Sequence, residues 1–472
     1  MDLQDAIDAG RIEVTISGYG FQGEGFVRLD DGWLSVPSAL PGEHVRVDIL
    51  DRELPVRRRI FGRVCEVLKP SPVRDSSECE DVNRCRGCHL RHAHRDEEKR
   101  FKLQSTLEVL EKFAGLTNFE GPSIAYIGPD SLSRTQGYRN RTYLSVEGEA
   151  GVEMGMKSRA SESLISMSSC PALVQPLRQL VGRVEAVIRD NAGTWLGSGP
   201  SSIRGLQISL SNRGHMRVVI DLIADQSWDS QGGAERDDSV GRFARLVAGV
   251  LTPQVGLFVR DMTGHSHLQG DPEFRLQYGA LDLQVSPPSW YHATDIPAQA
   301  LYNWVLDSLE LEPADRLLDV GSGIGTISLL AAPFVHSFQG LDRDRFSTAD
   351  AQANQAANGI ENGSFRCVGW ERGLRDLVGA QSRFEKVTIN PMREPVGASS
   401  LRYLPALGVQ KVVYLGPSMV PAAKDIAVLM SLGFEVTRVG VANLHPATYH
   451  AMLCVVLSSK RGDPESFDDP KR

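Results

Sequence analysis

At 472 residues and a net charge of −8, the chain is long enough for two to four domains, and its overall acidity excludes a simple polycationic nucleic-acid binder. No run of about 18 apolar residues occurs, which excludes a transmembrane helix, and the polar start MDLQDAIDAG is unlike a signal peptide, so the chain is expected in the cytoplasm. Seven cysteines without a secretory start point to a reducing compartment, where closely spaced cysteines bind metals rather than form a disulfide framework.

Residues 11–67 read as short strands punctuated by Gly and Pro, the pattern of a small β-barrel. Asp31-Gly32 marks a hairpin, and Pro41-Gly42 a turn feeding the strand HVRVDIL. Residues 52–102 hold 14 Lys/Arg against 9 Asp/Glu, including Arg57, Arg58 and Arg59, so a basic first third either faces RNA or is an ordinary solvated surface. Residues 69–95 are polar, lack apolar periodicity and need a cross-link to hold shape. They carry Cys79, Cys85 and Cys88 as C-x5-C-x2-C, and Cys170 heads the later phrase CPALVQPLRQL. A helix is expected over 96–115, with apolar residues at 101, 103, 107, 110 and 113. Strands and helices alternate over 123–280, interrupted by the loop DQSWDSQGGAERDD. From about 283 the pattern is strand–helix repeats, which imply a parallel doubly wound sheet, and the tail SSKRGDPESFDDPKR has a disordered composition.

Within those repeats LLDVGSGIGTIS is an apolar strand ending in Asp319, then Gly321, Gly323 and Gly325, then a helix. Glycines there let the chain turn sharply and let a ligand approach the backbone. Asp342 ends the next strand, placed to accept hydrogen bonds from ribose hydroxyls. D-x-G-x-G-x-G suits S-adenosylmethionine better than NAD; the alternative is a purely structural turn. The cysteines also admit more than one reading. Zinc could use Cys79, Cys85 and Cys88 with His89, His92 or His94. The string Cys85-Arg86-Gly87-Cys88-His89 matches the c-type haem attachment pattern, which accompanies export.

Taken in order, the phrases GEGFVRLDDGWLSVPSALPGEHVRV, KPSPVR, the cysteine run, GYRNR, SSCPAL and the glycine loop resemble those of the RNA uracil-5-methyltransferases, which make 5-methyluridine in ribosomal and transfer RNA. The resemblance covers about residues 11–460. It implies a multidomain α/β protein: a TRAM-like (OB-like) β-barrel over 1–68, a central α/β RNA-binding domain with the Cys cluster over 69–282, a Rossmann-like methyltransferase domain over 283–460 and a tail over 461–472. It also implies rRNA or tRNA as partner, no membrane, S-adenosylmethionine as cofactor, and a [4Fe–4S] cluster on Cys79, Cys85, Cys88 and Cys170.

The same resemblance exposes departures. In the family a cysteine thiolate adds to uracil C6, C5 takes the methyl group, and a glutamate removes the C5 proton. The nucleophile position is here Pro417 and the base position Met452. The D-P-P-R phrase becomes Asn390-Pro391-Met392-Arg393, the cofactor-touching F-F-Q-V-N becomes Trp290-Tyr291-His292-Ala293-Thr294, and no acid stands near Gly369-Trp370. Asp319, Gly321, Gly323, Gly325 and Asp342, with His292 and Asn390, are the expected cofactor-binding set, and cofactor binding is expected to be weakened or lost. Cys454 lies on the same strand face as Met452, where it either reaches the cleft or packs as a buried apolar side chain. The expectation is an RNA-binding member without catalytic residues for 5-methyluridine formation. The alternative is an active methyltransferase of changed chemistry, methylating nitrogen with Asn390.

Overall fold

The structure, a computed structural model, describes residues 1–460 except 52, 54, 56, 78, 118–123, 129–136, 148–151, 160–162, 193–202 and 224–238. The expected loop DQSWDSQGGAERDD and nearly all of the expected disordered tail lie outside the described residues.

A short capped helix, α1 (Leu3–Ala9), precedes six strands: β1 (Arg11–Thr15), β2 (Gly18–Tyr19), β3 (Gly25–Leu29), β4 (Gly32–Val36), β5 (His44–Ile49) and β6 (Arg59–Lys69). Their order is β1-β5-β6-β4-β3-β2. β1 and β2 are successive parts of one run: the Ile16 N–H donates to the Glu43 carbonyl at 2.9 Å and the Ser17 N–H to the Phe26 carbonyl at 2.8 Å. One run therefore supplies both ends of the strand order, and the sheet closes as a barrel, which removes its exposed edges. Alternating Ile12, Val14, Val27, Leu29, Leu34, Val45 and Val47 fill the interior. The buried Glu43 carboxylate accepts from the Leu40 and Ser71 N–H groups and from Arg74, fastening the barrel to the segment that leads to the cysteines.

After the cysteines, α2 (Arg95–Ala114) leads to β7 (Ile124–Ile127). The buried side of α2 is not the simple apolar stripe expected. Phe101 and Leu110 are buried, but Leu103, Leu107 and Phe113 are only partly so, while Glu97, Glu98, Lys102 and Thr106 are buried. The physical reason is an ion pair, Lys102 Nζ to Glu98 at 2.8 Å, turned inward toward a loop described below.

The central sheet has the order β10-β9-β8-β11-β12-β13-β14, built from β8 (Arg141–Glu147), β9 (Glu153–Lys157), β10 (Leu164–Ile165), β11 (Ile203–Leu210), β12 (Met216–Leu222), β13 (Val255–Arg260) and β14 (His265–Gln269). The amphipathic helices α3 (Gln175–Asp190) and α4 (Ser239–Ala248) bury Leu177, Leu180, Val184, Phe243 and Val247 against it. A hairpin, β15 (Arg275–Tyr278) and β16 (Leu281–Gln284), then leads into the last region.

That region alternates α5 (Asp295–Leu309), β17 (Arg316–Val320), α6 (Thr326–Ala331), β18 (Ser337–Asp342), α7 (Arg345–Ala357), β19 (Gly363–Cys367), α8 (Trp370–Gly379), β20 (Lys386–Ile389), α9 (Ala398–Leu401), β21 (Lys411–Gly416), α10 (Met419–Ser431), β22 (Phe434–Ala442) and β23 (Met452–Ser459). The sheet order is β19-β18-β17-β20-β21-β23-β22-β7. β17 to β21 are parallel as expected, but β23 runs antiparallel to both β21 and β22, so the sheet is mixed. A connection of 443–451, without a crossover helix, permits no other sense for β23. Both faces are covered. Met452, Cys454 and Val456 point into the core with α5 and α6, and Leu453, Val455 and Leu457 into the core with α2 and α10. β7, from far upstream, pairs in parallel with β22, so α2 and β7 pack as part of this sheet.

Candidate functional site

The carboxyl ends of β17, β18, β20 and β21 and the 443–451 loop share one edge of the sheet, the position where open α/β sheets bind ligands. Asp319 is buried behind that edge. Its carboxylate accepts from Ser328 Oγ and Thr388 Oγ1, each at 2.7 Å, and ties β17 to α6 and β20. Burial raises its pKa, against the pull of those two donors. Gly321, at φ +83°, lies against the Asn390 carbonyl, where a Cβ would come within 2.3 Å. Gly323, at φ +55°, has nothing within 4 Å of where a Cβ would be, so the backbone is open to a ligand there. Asp342 Oδ2 accepts the Gly323 N–H at 2.8 Å, which joins the acid to the glycine loop. Asn390 is fixed by its own N–H, donated to the Val320 carbonyl at 2.8 Å. His292 is buried edge-on to Trp290, with ring centroids 4.6 Å apart, and 5.9 Å from Tyr302. Burial, with the nearby Arg141 charge, takes its pKa down to about 3, so its ring is neutral at physiological pH.

The two positions where the resemblance places a nucleophile and a base are apolar. Pro417 follows β21, and Met452, 5% exposed, opens β23 within the cluster that includes Ile324 and Leu444. No cysteine takes over. Cys454 is 0% exposed, packed within the sheet, and burial pushes its thiol pKa up. Cys367 is exposed at the end of β19, four strand steps from β21 or roughly 19 Å at ~4.8 Å per step. Cys65 is on the barrel.

The remaining four, Cys79, Cys85, Cys88 and Cys170, line one partly open cavity of about 350 Å³, its mouth included, together with Val82, Arg91, Arg139, Met167 and Ala172. Local backbone holds them there. Arg159 Nε donates to the Cys85 carbonyl at 2.6 Å and its Nη2 to the Cys88 carbonyl, and Cys85 bridges to Ser158. Burial raises the pKa of Cys79 and Cys170, and that of Cys85 to about 11, with the neighbouring Cys88 adding to each. Among the described residues no group of three or more His, Cys, Asp or Glu is placed to hold one metal ion. His89, His92 and His94 do not line the cavity, and the His89 ring packs instead on Tyr449, 4.7 Å away.

Several groups here carry no local sequence signal. Asp295, in the first turn of α5, accepts from Asn140 Nδ2 at 2.6 Å, and burial raises its pKa to about 6. Arg141 lies over the Tyr291 ring at 4.6 Å and beside Trp290. The barrel's outer face sets Phe26 against Trp33 at 5.4 Å, Arg28 over Trp33 at 5.5 Å and Arg59 over Phe61 at 5.0 Å, with Trp33 42% and Phe61 43% exposed. The alternation of aromatic and basic residues on β3, β4 and β6 is the signal that could have found it. No helix among the described residues is long and apolar enough to cross a membrane.

No family model matches the chain. It is 27% identical over 449 residues to the 23S rRNA (uracil(1939)-C(5))-methyltransferase RlmD of Vibrio cholerae serotype O1 (strain M66-2), covering 94% of this chain and 95% of that one. It is 24% identical over 457 residues to an uncharacterized RNA methyltransferase of Halalkalibacterium halodurans, covering 95% and 97%. The fold is similar to that of the Pyrococcus abyssi tRNA (uracil-54, C5)-methyltransferase in complex with S-adenosyl-L-homocysteine, with a TM-score of 0.66, 17% identity, and 94% of this chain and 100% of that one covered. With sequence likeness running the length of both chains, and a similar α/β methyltransferase fold beneath it, the chain resembles the RNA uracil-5-methyltransferases.

Proposed function

We propose that this protein binds RNA as a member of its family but does not form 5-methyluridine. The observation that carries the proposal is the absence of a usable thiol at the cleft. Uracil C5 is a poor nucleophile until a thiolate adds to C6. Pro417 stands at the family's thiol position, and each of the seven cysteines lies in the cysteine cavity, in a sheet interior, or at a distant surface. Met452 likewise offers nothing to take the C5 proton. The names of the relatives concern uracil C5 and lend no support to nitrogen methylation through Asn390.

The retained parts support ligand binding. Gly323 leaves the backbone open, and Asp342 sits beside it to receive ribose hydroxyls of S-adenosylmethionine, which supplies an electrophilic methyl group when bound. The barrel's aromatic and basic face suits stacked, unpaired RNA bases. Thiolates are soft ligands suited to iron–sulfur clusters or zinc. Four around one cavity fit a [4Fe–4S] cluster held by Cys79, Cys85, Cys88 and Cys170.

Incubation with tritiated S-adenosylmethionine and undermodified ribosomal or transfer RNA tests the reading. RNA binding without tritium at uracil C5 is expected, and turnover to 5-methyluridine would refute it.

A further inference from the structure

The 443–451 loop is held from outside at four successive carbonyls. Thr294 Oγ1 donates to the Leu444 carbonyl at 2.8 Å, Lys102 Nζ to that of His445 at 3.2 Å, Tyr138 Oη to that of Pro446 at 2.8 Å, and the His89 and Leu90 N–H groups to that of Ala447 at 2.9 Å each. The Ala447 N–H in turn donates to Glu98 at 2.9 Å. The loop needs this grip, because Ala447 has φ +60°, a left-handed backbone that a residue with a Cβ adopts at a cost. At its end the loop carries a tilted ring pair, Tyr449 and His450, with ring centroids 4.0 Å apart.

Two of the four grips sit one residue from the cysteine cavity. His89 follows Cys88, and Tyr138 precedes Arg139; both Cys88 and Arg139 line the cavity, and the Tyr138 N–H donates to the carbonyl of Ala172, another lining residue, at 2.9 Å. The other two grips come from α2 and from the residue before α5, away from the cysteines. We infer that the cysteine segment is a positioning clamp for the 443–451 loop, so that emptying the cavity loosens Tyr449 and His450 while the rest of the fold stands. The inference rests on the reading of the cavity as a cluster site and goes beyond it, because it assigns the cavity a mechanical effect on the cleft edge.

Hydrogen exchange on the full chain, purified anaerobically with iron measured on the same samples, tests it. Cys88→Ser is expected to lose iron and to speed exchange at 443–451 by about tenfold, with the barrel amides of Val45 and Val47 unchanged. Tyr138→Phe keeps every cysteine and removes one grip; iron stays, and exchange at Ala447 and its neighbours rises roughly two- to tenfold, the range for one buried hydrogen bond. Iron present in the wild type, with loop exchange unmoved in both variants, overturns the inference alone. A wild type without iron and with a fully protected loop overturns both the inference and the cluster reading. If Cys88→Ser raises exchange everywhere, Tyr138→Phe decides.

Discussion

The cysteine cavity and the cleft end of β21 and β23 meet at the 443–451 loop and differ in what they keep. The cavity gathers four thiols from segments some 80 residues apart, with the Arg159 side chain holding the Cys85 and Cys88 carbonyls. At the cleft end, Pro417 follows β21 and Met452 opens β23 within a buried apolar cluster, and Cys454 beside it is packed in the sheet interior. The two sites are thus under different constraints. Chain neighbours of the cavity, His89, Leu90 and Tyr138, also bond the 443–451 loop, whereas a nucleophile or base is needed only for turnover.

The comparison is most directly broken at Met452. Met452→Glu places a carboxyl in a buried apolar cluster. A carboxyl without a partner there is expected to have its pKa raised by about 3–5 units, which destabilises by roughly 4–5 kcal/mol at pH 8. The raised folded-state pKa means the loss grows as pH climbs from the unfolded value of about 4.3. Urea unfolding at pH 5 and pH 8 measures it. A variant as stable as wild type at pH 8 would mean that the site is still open to water and fit for a base.

The loop's other anchor sharpens the contrast from the far side. Lys102 is 0% exposed and bonds Glu98, Asn443 and the His445 carbonyl. Lys102→Met leaves the buried Glu98 without this cation, and a loss of about 3–5 kcal/mol is expected by chemical denaturation. Lys102→Met with Glu98→Gln should recover part of it, because the leftover charge is gone. Full additivity of the two changes would show that the pair is not coupled.

Much of this was legible in the sequence, for local reasons. The barrel strands, the Asp31-Gly32 hairpin, and the glycine loop with Asp342 are contiguous patterns, and the structure places each where its pattern implies. Cys79, Cys85 and Cys88 announce themselves by spacing, but Cys170 joined them only through resemblance, since nothing local says which distant thiol closes a site. The misreading of α2 has the same origin. Its buried Glu98 and Lys102 look like a solvated pair until the loop at 443–447 is laid against them. β23 was read as one more parallel strand because periodicity reports burial on both faces and not strand direction. Asp295 was missed because its environment is assembled from Asn140 and other residues far from it in the chain.

Asp295 carries the smallest effect and the finest test of the cleft. Its folded-state pKa of about 6 lies above the ordinary carboxyl value of 3.8, with burial as the cause and the Asn140 hydrogen bond opposing it. A carboxyl raised in this way favours folding while protonated. It therefore removes stability as pH rises from about 3.8 to about 6, by about 3 kcal/mol in all. Asp295→Asn keeps the shape and removes the titration, so the variant should gain up to that amount relative to wild type at pH 7 and match it near pH 4. A destabilising buried acid at the edge of a cleft is hard to explain by packing alone. If the pH-dependent gain is found, the acid is retained against stability, which points to a ligand group that it receives. If wild type and variant are equally stable at every pH, Asp295 is solvated, and its position on α5 costs the fold nothing that a ligand must repay.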